Sequence, residues 1–190
     1  SRTVTVQGDV SLANATAFTS TGSTLILSGT AAQVITPNAM GFAVVQATGS
    51  GGVTLTGTTS FTSLSISTGE TFTIGGGSAT SLTLTGTGAN VLQTGGTSGG
   101  FRWDAASFSA ALLFTGAAPQ INNGNATGVQ VTSGTSQASL SSTNAASLIT
   151  NPLSLNGQGL RIGNLSTALL HTLGNNSVLT LTNASTFSGG

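Results

Sequence analysis

Short segments in which hydroxyl and aliphatic residues alternate recur along the first ninety residues of this chain. Examples are residues 3–6 (TVTV), 53–56 (VTLT) and 82–85 (LTLT). An alternation with a period of two places the aliphatic side chains on one face of a β-strand and the hydroxyls on the other. Successive segment centres lie about 8–11 residues apart, a spacing typical of all-β folds. The sequence therefore predicts an all-β protein of many short strands.

Glycine-rich corners separate these segments, as at residues 49–52 (GSGG) and 75–77 (GGG). Two architectures accommodate short strands and small corners, a parallel β-solenoid and an antiparallel β-sandwich. The quasi-repetitive pattern favours the solenoid, in which each turn stacks on the next and backbone hydrogen bonds run along the axis. Two or three strands per turn predict turns of roughly 20–30 residues. The antiparallel β-sandwich is the alternative.

Charged residues are scarce, and this excludes several classes of partner. Six of the 190 residues are charged, the net charge is zero and there is no cysteine. An ordinary soluble domain carries about 25% charged residues. Three scattered arginines provide no basic patch for nucleic acid, and no apolar run reaches the roughly 20 residues of a membrane-spanning helix. We expect neither a nucleic-acid partner nor a membrane-spanning segment.

The alternating pattern changes around Gly99. Residues 101–104 (FRWD) hold the only tryptophan and two of the charges. The following residues, 104–113, form either a short helix with Asp104 as its N-cap or a pair of strands ending at 112–114. We predict one solenoid domain over residues 1–190 with an irregular lateral excursion near 99–111.

The same region supplies the candidate interaction patch. Aromatic residues and arginine are enriched in recognition sites. The alternative is that these aromatics fill a corner of the core. The residues of the candidate patch are Phe101, Arg102, Trp103, Asp104 and Phe108.

Residues suited to catalysis or metal binding are few. The single histidine, His171, fits a surface position beside an apolar strand, and the three carboxylates are scattered along the sequence. Residues 96–100 (GTSGG) match the G-x-S-x-G pattern, but within a glycine-rich loop such matches arise by chance. A polysaccharide-degrading enzyme needs paired carboxylates on one face. We expect no catalytic residue, no cofactor, no metal site and no enzymatic activity.

Two stretches carry a resemblance to known proteins. Residues 27–36 (LSGTAAQVIT), followed by Phe42 and by 52–57 (GVTLTG), resemble haemagglutinin-like repeats of large secreted bacterial β-helical adhesins. Residues 179–190 (LTLTNASTFSGG) resemble the passenger-associated repeat of autotransporters, with Phe187 in place of its usual aromatic. The resemblance implies a single-stranded, right-handed parallel β-helix that is exported to the bacterial cell surface or beyond it.

Neither end of the chain shows a charged or helical cap. A terminal turn without a cap exposes unpaired backbone groups. We therefore expect the chain to be a segment of a longer solenoid or to self-associate end to end into a homopolymer. The strands predicted to mediate assembly contain Val4, Val6, Val10 and Leu12 at one end and Val178, Leu179 and Leu181 at the other.

These observations predict a non-enzymatic extracellular structural protein, namely a surface fibre, stalk or filament subunit with an adhesive role. One alternative is a fragment of an adhesin passenger that binds a glycan or a host surface. Another is an ice-binding solenoid, because Thr-x-Thr pairs such as Thr54/Thr56 and Thr71/Thr73 recur. A β-helical polysaccharide-degrading enzyme is the remaining alternative.

Overall fold

The computed structural model of the chain is built from short β-strands. In the part of the chain that it describes, 22 strands are present and no helix, so the all-β prediction is confirmed there. The described residues are 1–75, 77–87, 91–94, 100–105, 108, 110–116, 120–123, 129–133, 138–142, 148–149, 153–157, 160–163, 166–167, 172–173, 179–182 and 186–187.

The first turns of the solenoid are described without a gap as far as Gly75. Their strands are β1 (Thr3–Val6), β2 (Val10–Ser11), β3 (Thr24–Leu27), β4 (Gln33–Thr36), β5 (Phe42–Ala47), β6 (Val53–Leu55), β7 (Thr58–Ile66) and β8 (Thr71–Gly75). The strands that follow are β9 (Thr80–Leu84), β10 (Leu92–Thr94), β11 (Gly100–Ala105), β12 (Ala110–Phe114), β13 (Gln120–Asn123), β14 (Val129–Ser133), β15 (Ala138–Ser142), β16 (Leu148–Ile149), β17 (Leu153–Gly157), β18 (Leu160–Gly163), β19 (Ser166–Thr167), β20 (Thr172–Leu173), β21 (Leu179–Thr182) and β22 (Thr186–Phe187).

The strands stack into three faces. Face 1 contains β1, β3, β5, the second half of β7, β10, β13, β16, β19 and β22. Face 2 contains β2, β4, β6, β8, β11, β14, β17 and β20, and face 3 begins with the first half of β7 and continues through β9, β12, β15, β18 and β21. Every pairing between the described strands is parallel. The parallel β-solenoid is therefore confirmed and the antiparallel sandwich is wrong for this part of the chain. The right-handed winding stays a prediction.

Aliphatic residues of successive turns lie on top of one another inside the solenoid. On face 2, Ile35, Leu55 and Ile74 share one register position and are fully buried. On the outer surface of β6 and β8, Thr54 lies beside Thr73. The equivalent inner positions of face 1 are Val4, Leu25, Val45, Leu64 and Leu92.

Phenylalanine rings form a continuous path through the core. Phe18 packs on Phe42 with ring centroids 5.1 Å apart, and Phe42 meets Phe61 edge to face at 5.7 Å. Phe61 contacts Phe72 at 6.1 Å, and Phe72 stacks on Phe101 at 6.2 Å. Tilted and offset aromatic pairs at such separations add about 0.5–1.5 kcal/mol each beyond simple burial. The rings thus join the first turn to the fifth.

The turns are longest in the middle of the stack of described strands. On face 1 the aligned residues Leu25, Val45 and Leu64 are 20 and 19 residues apart, whereas Leu64, Leu92 and Ile121 are 28 and 29 residues apart. From β9 onward the turns have a separate strand on face 3. Further along face 1, Ile149, Thr167 and Phe187 are again 18 and 20 residues apart although these turns also have three strands, so the number of strands does not set the length of a turn.

Residues 100–105 and 110–114 form two strands and not a helix. β11 pairs with β8 and β14 on face 2, and β12 pairs with β9 and β15 on face 3. The prediction of a strand pair is confirmed. The short helix starting at Asp104 is wrong, because parallel neighbours on both sides take up the backbone hydrogen-bonding groups of these residues. The lateral excursion predicted near 99–111 stays a prediction for the residues between the two strands, where 106, 107 and 109 lie outside the described residues.

Candidate functional site

The predicted interaction patch is divided between the core and the surface. Phe101 is only 1% exposed, and its ring stacks on that of Phe72 with an interplanar angle of 12°. It follows Val53 and Phe72 in one inward register position of face 2. The assignment of Phe101 to a surface patch is therefore wrong, since the alternation of β11 turns this ring into the solenoid.

Two members of the predicted patch remain outside the core. Arg102 lies between Thr73 and Gln130 on face 2 and is half-buried. Its Nε atom is buried and has no hydrogen-bond partner among the described residues. Phe108, in the connection between β11 and β12, is 47% exposed. A guanidinium group and an aromatic ring are thus available on this side of the molecule.

The backbone positions of the other two patch residues are set by the same strand. Trp103 is in register with Ile74 and Val131. Asp104 is in register with Gly75 and Thr132. Their side chains lie outside the described part of the chain.

The first turn presents an open edge. Among the described strands, β1 pairs only with β3 and β2 only with β4. Val4 occupies the first of the inner positions of face 1, yet it is 54% exposed. Val6, Val10 and Leu12 are partly buried against the core. A cavity of about 310 Å³ opens here, and its lining includes Val4, Val6, Val10, Phe18 and Phe42.

The other predicted assembly strand is β21. It places Leu179 in register with Leu160, and Leu181 in register with Ile162. Among the described strands β21 pairs only with β18, and β22 only with β19. Val178 lies outside the described residues. The structure thus leaves strand edges without a described partner at both ends of the stack.

A buried glutamine joins the first two turns where the chain enters face 2. Gln33 is buried, and its Oε1 accepts a hydrogen bond from Gly29 N at 2.8 Å. Its Nε2 donates to the carbonyl oxygens of Val6 at 3.2 Å and Gly8 at 2.6 Å, both in the first turn. The amide therefore uses its acceptor and its donors to satisfy three backbone groups.

A buried glutamate occupies the same corner two turns later. Glu70 is 1% exposed, and its Oε1 accepts hydrogen bonds from Gly52 N at 2.8 Å and Thr71 N at 2.9 Å. Its Oε2 is buried and has no hydrogen-bond partner among the described residues. Sequence analysis missed this position because a charged residue is expected at the surface. The period of two gives a signal, since it places Glu70 on the side of Phe72 and Ile74.

The threonine pairs of face 2 do not form a long ladder. Thr54 lies beside Thr73, but the flanking turns place Val34 and Arg102 at the same position. In the next turn, Gly100 lies in register with Thr71. The regular rows that an ice-binding face requires are therefore absent from these turns of face 2.

Other chemistry is sparse in the part of the chain that the structure describes. No group of three or more His, Cys, Asp or Glu residues is positioned there to hold a metal ion. No helix in that part is long and apolar enough to cross a membrane. His171 and Ser98 lie outside the described residues, so the predictions made for them are not altered.

Comparisons of the chain with protein-family models, with curated proteins and with solved structures give no match. The resemblance to adhesin and autotransporter repeats therefore remains a prediction from the residues that carry it. The parallel β-solenoid is shown by the pairing and stacking of the described strands.

Proposed function

We propose that this chain is a non-enzymatic structural protein of the extracellular space or the bacterial cell surface, which acts as a fibre, stalk or filament subunit with an adhesive role. The observation that carries the proposal is the open edge of the first turn. There the outer backbone groups of β1 and β2 lie beside an apolar cavity. A further turn of solenoid, from another copy or from adjoining sequence, satisfies both features by pairing the backbone and covering the aliphatic residues.

The source of cohesion supports a scaffolding role. Stacked aliphatic residues and parallel backbone ladders hold the turns together. Of the charged side chains described, Glu70 is buried and Asp9 accepts a hydrogen bond from Val34 N at 2.8 Å. Because salt screens interactions between surface charges, a solenoid that depends so little on them keeps its shape over a wide range of ionic strength.

End-to-end assembly is tested by electron microscopy and sedimentation of the 190-residue chain over a range of concentrations. We expect filaments whose mean length grows with concentration. Val4→Lys places a charge at the open apolar edge, and we expect it to abolish filaments, since edge lysines block strand addition. Thr5→Lys, in the same strand but at an exposed outward position, is the matched control and should still assemble. A monomer at all concentrations, or equal assembly by both variants, contradicts the proposal.

Binding of a glycan or another host-surface ligand is the second candidate function. It is favoured by Arg102 and Phe108, which remain outside the core. Phe108→Ala should reduce glycan binding while changing the free energy of unfolding by no more than about 0.5 kcal/mol. Phe101→Ala should lower the free energy of unfolding by about 3–5 kcal/mol, because it empties a buried ring site. Glycan arrays and chemical denaturation separate the effects, and unchanged binding by Phe108→Ala together with Arg102→Ala contradicts this candidate.

A further inference from the structure

The alternating sequence does not by itself fix how one turn stacks on the next. In the structure Thr54 is in register with Thr73, and Leu55 with Ile74. A shift of two residues places Thr54 beside Thr71 and Leu55 beside Phe72, so these residues still meet residues of the same kind, and Val53 then lies opposite Glu70. Register is weakly specified whenever a shift preserves the pattern of both faces. Another feature must therefore distinguish the two arrangements.

Glu70 supplies such a feature. It stands immediately before β8 and accepts a hydrogen bond from Gly52 N, immediately before β6 in the preceding turn. A two-residue shift moves Gly52 by about 6.6 Å relative to Glu70, at roughly 3.3 Å per residue. The hydrogen bond from Gly52 N is then lost, and Thr71 N is the one described donor that stays with the buried carboxylate. The loss of one of two hydrogen bonds to a buried carboxylate is unfavourable.

We infer that Glu70 fixes the register between the third and fourth turns of the solenoid. The inference concerns how the sequence selects one stacking arrangement, and it does not depend on the proposed function. Glu70 acts as a positioning residue through the backbone amide of Gly52, and Gln33 joins the first two turns in the same way through Val6 and Gly8.

The second carboxylate oxygen of Glu70 supports a role in specificity. Oε2 has no hydrogen-bond partner among the described residues, so the contacts described there do not optimise this side chain for stability. Oε2 and the Gly29 carbonyl oxygen lie 2.9 Å and 2.1 Å from the point where a Cβ on Gly49 would stand, so the side chain of Glu70 fits this corner only because residue 49 is a glycine. A buried polar group that lowers stability but penalises the alternative arrangement is a known way of specifying register.

Engineered cysteines can report the register directly, because the chain has no native cysteine. The pair Thr54→Cys/Thr73→Cys reports the observed register, since parallel neighbours about 4.8 Å apart are within disulfide reach. The pair Thr54→Cys/Thr71→Cys reports the shifted register, since its Cα atoms are roughly 8 Å apart in the observed structure, beyond the limit for a disulfide. Each pair is placed in the native background and in Glu70→Leu, Glu70→Gln and Leu82→Ala.

We expect the native background to form the 54–73 disulfide and very little of the 54–71 disulfide. Glu70→Leu should raise the yield of the 54–71 disulfide by roughly tenfold or more, because the penalty on the shifted register is removed. Glu70→Gln retains an acceptor for Gly52 N and should keep the native ratio. Leu82→Ala, which empties a buried site in β9, controls for destabilisation alone and should also keep the native ratio.

The inference is overturned if Glu70→Leu folds and forms only the 54–73 disulfide, or if Leu82→Ala raises the 54–71 disulfide as much as Glu70→Leu does. Amide hydrogen exchange of the unmodified chain provides a second measurement that does not require any variant to fold. Slow exchange at Gly52 N and Thr71 N supports the inference. Rapid exchange at Gly52 N, with slow exchange in the neighbouring strands, overturns it.

Discussion

Gln33 and Glu70 meet the same structural requirement with different chemistry. Both lie where the chain enters face 2, both are buried, and both accept a hydrogen bond from the backbone of a glycine. The amide of Gln33 also donates to two carbonyl oxygens of the first turn. The carboxylate of Glu70 has no proton to donate when ionised, and in the described part of the chain its Oε2 has no hydrogen-bond partner.

A solenoid corner has backbone acceptors as well as backbone donors to satisfy. A backbone that passes from one strand to the next leaves both N–H and C=O groups outside the ladders. An amide can serve both kinds of group, so the Gln33 corner is stable and specific. A carboxylate serves only the donors, so the Glu70 corner gains specificity at the expense of stability.

The most severe test of the comparison is Gln33→Glu. The carboxylate can accept from Gly29 N, but it faces the carbonyl oxygens of Val6 and Gly8 with no proton to offer. We expect the free energy of unfolding to fall by about 4 kcal/mol, as when a buried charge loses its compensating partners. Urea denaturation at neutral pH measures the loss. A change below about 1 kcal/mol contradicts the account of this corner.

Gly51→Ala tests the close approach of the backbones between the two corners. A Cβ at this position stands 2.1 Å from the carbonyl oxygen of Ala31 and 2.2 Å from its carbon, so a main chain must move. We expect a loss of about 3 kcal/mol in the free energy of unfolding, at the upper end of ordinary overpacking. Gly8→Ala is the matched control, because a Cβ there meets nothing within 4 Å. Equal effects of the two substitutions in thermal denaturation contradict the prediction.

Glu70→Gln makes the second corner resemble the first. Oε1 of the new amide keeps its bonds to Gly52 N and Thr71 N, and Nε2 takes the place of Oε2, which has no hydrogen-bond partner among the described residues. We expect the free energy of unfolding to rise by about 2 kcal/mol, because a buried unsatisfied charge is replaced by a neutral donor. Calorimetry of the folded chain measures the gain. A decrease shows that Oε2 has a partner that the described contacts do not include.

The strands and the stacking of the turns could be predicted from the sequence, because alternation with a period of two is a local property. The segments beginning at Thr3, Val53 and Thr71 show it plainly, and the structure places β1, β6 and β8 there. In Gln33–Thr36 the alternation is unclear, since Val34 is as apolar as Ile35. The structure turns Gln33 and Ile35 inward, a choice that depends on the glycine corner of the neighbouring turn.

The candidate site was less predictable from the sequence. The type of a residue suggests whether its side chain is exposed, but the stacking of the turns determines whether it is buried. The sequence predicts Phe101 in a surface patch with its neighbours, but the ring of Phe101 packs against that of Phe72 in the preceding turn. Glu70 is also expected at the surface, because it is charged. In the structure it is buried, and its carboxylate accepts hydrogen bonds from the backbone amides of Gly52 and Thr71. Neither outcome can be derived without knowing which residues the turns bring together.

The smallest predicted effect concerns the backbone that leads into each corner. Gly69, immediately before Glu70, has φ of +82°, whereas Ala32, before Gln33, is not among the residues with positive φ. A Cβ at position 69 has no atom within 4 Å, so Gly69→Ala lowers the free energy of unfolding only through the backbone conformation. We expect a loss of about 1 kcal/mol in the free energy of unfolding, the usual cost of a left-handed conformation for a residue with a Cβ. Ala32→Gly should cost no more than this, by increasing the freedom of the unfolded chain. If Gly69→Ala is neutral in urea denaturation, the left-handed backbone is not needed to bring the Glu70 carboxylate to Gly52 N, and the two corners differ in side-chain chemistry alone.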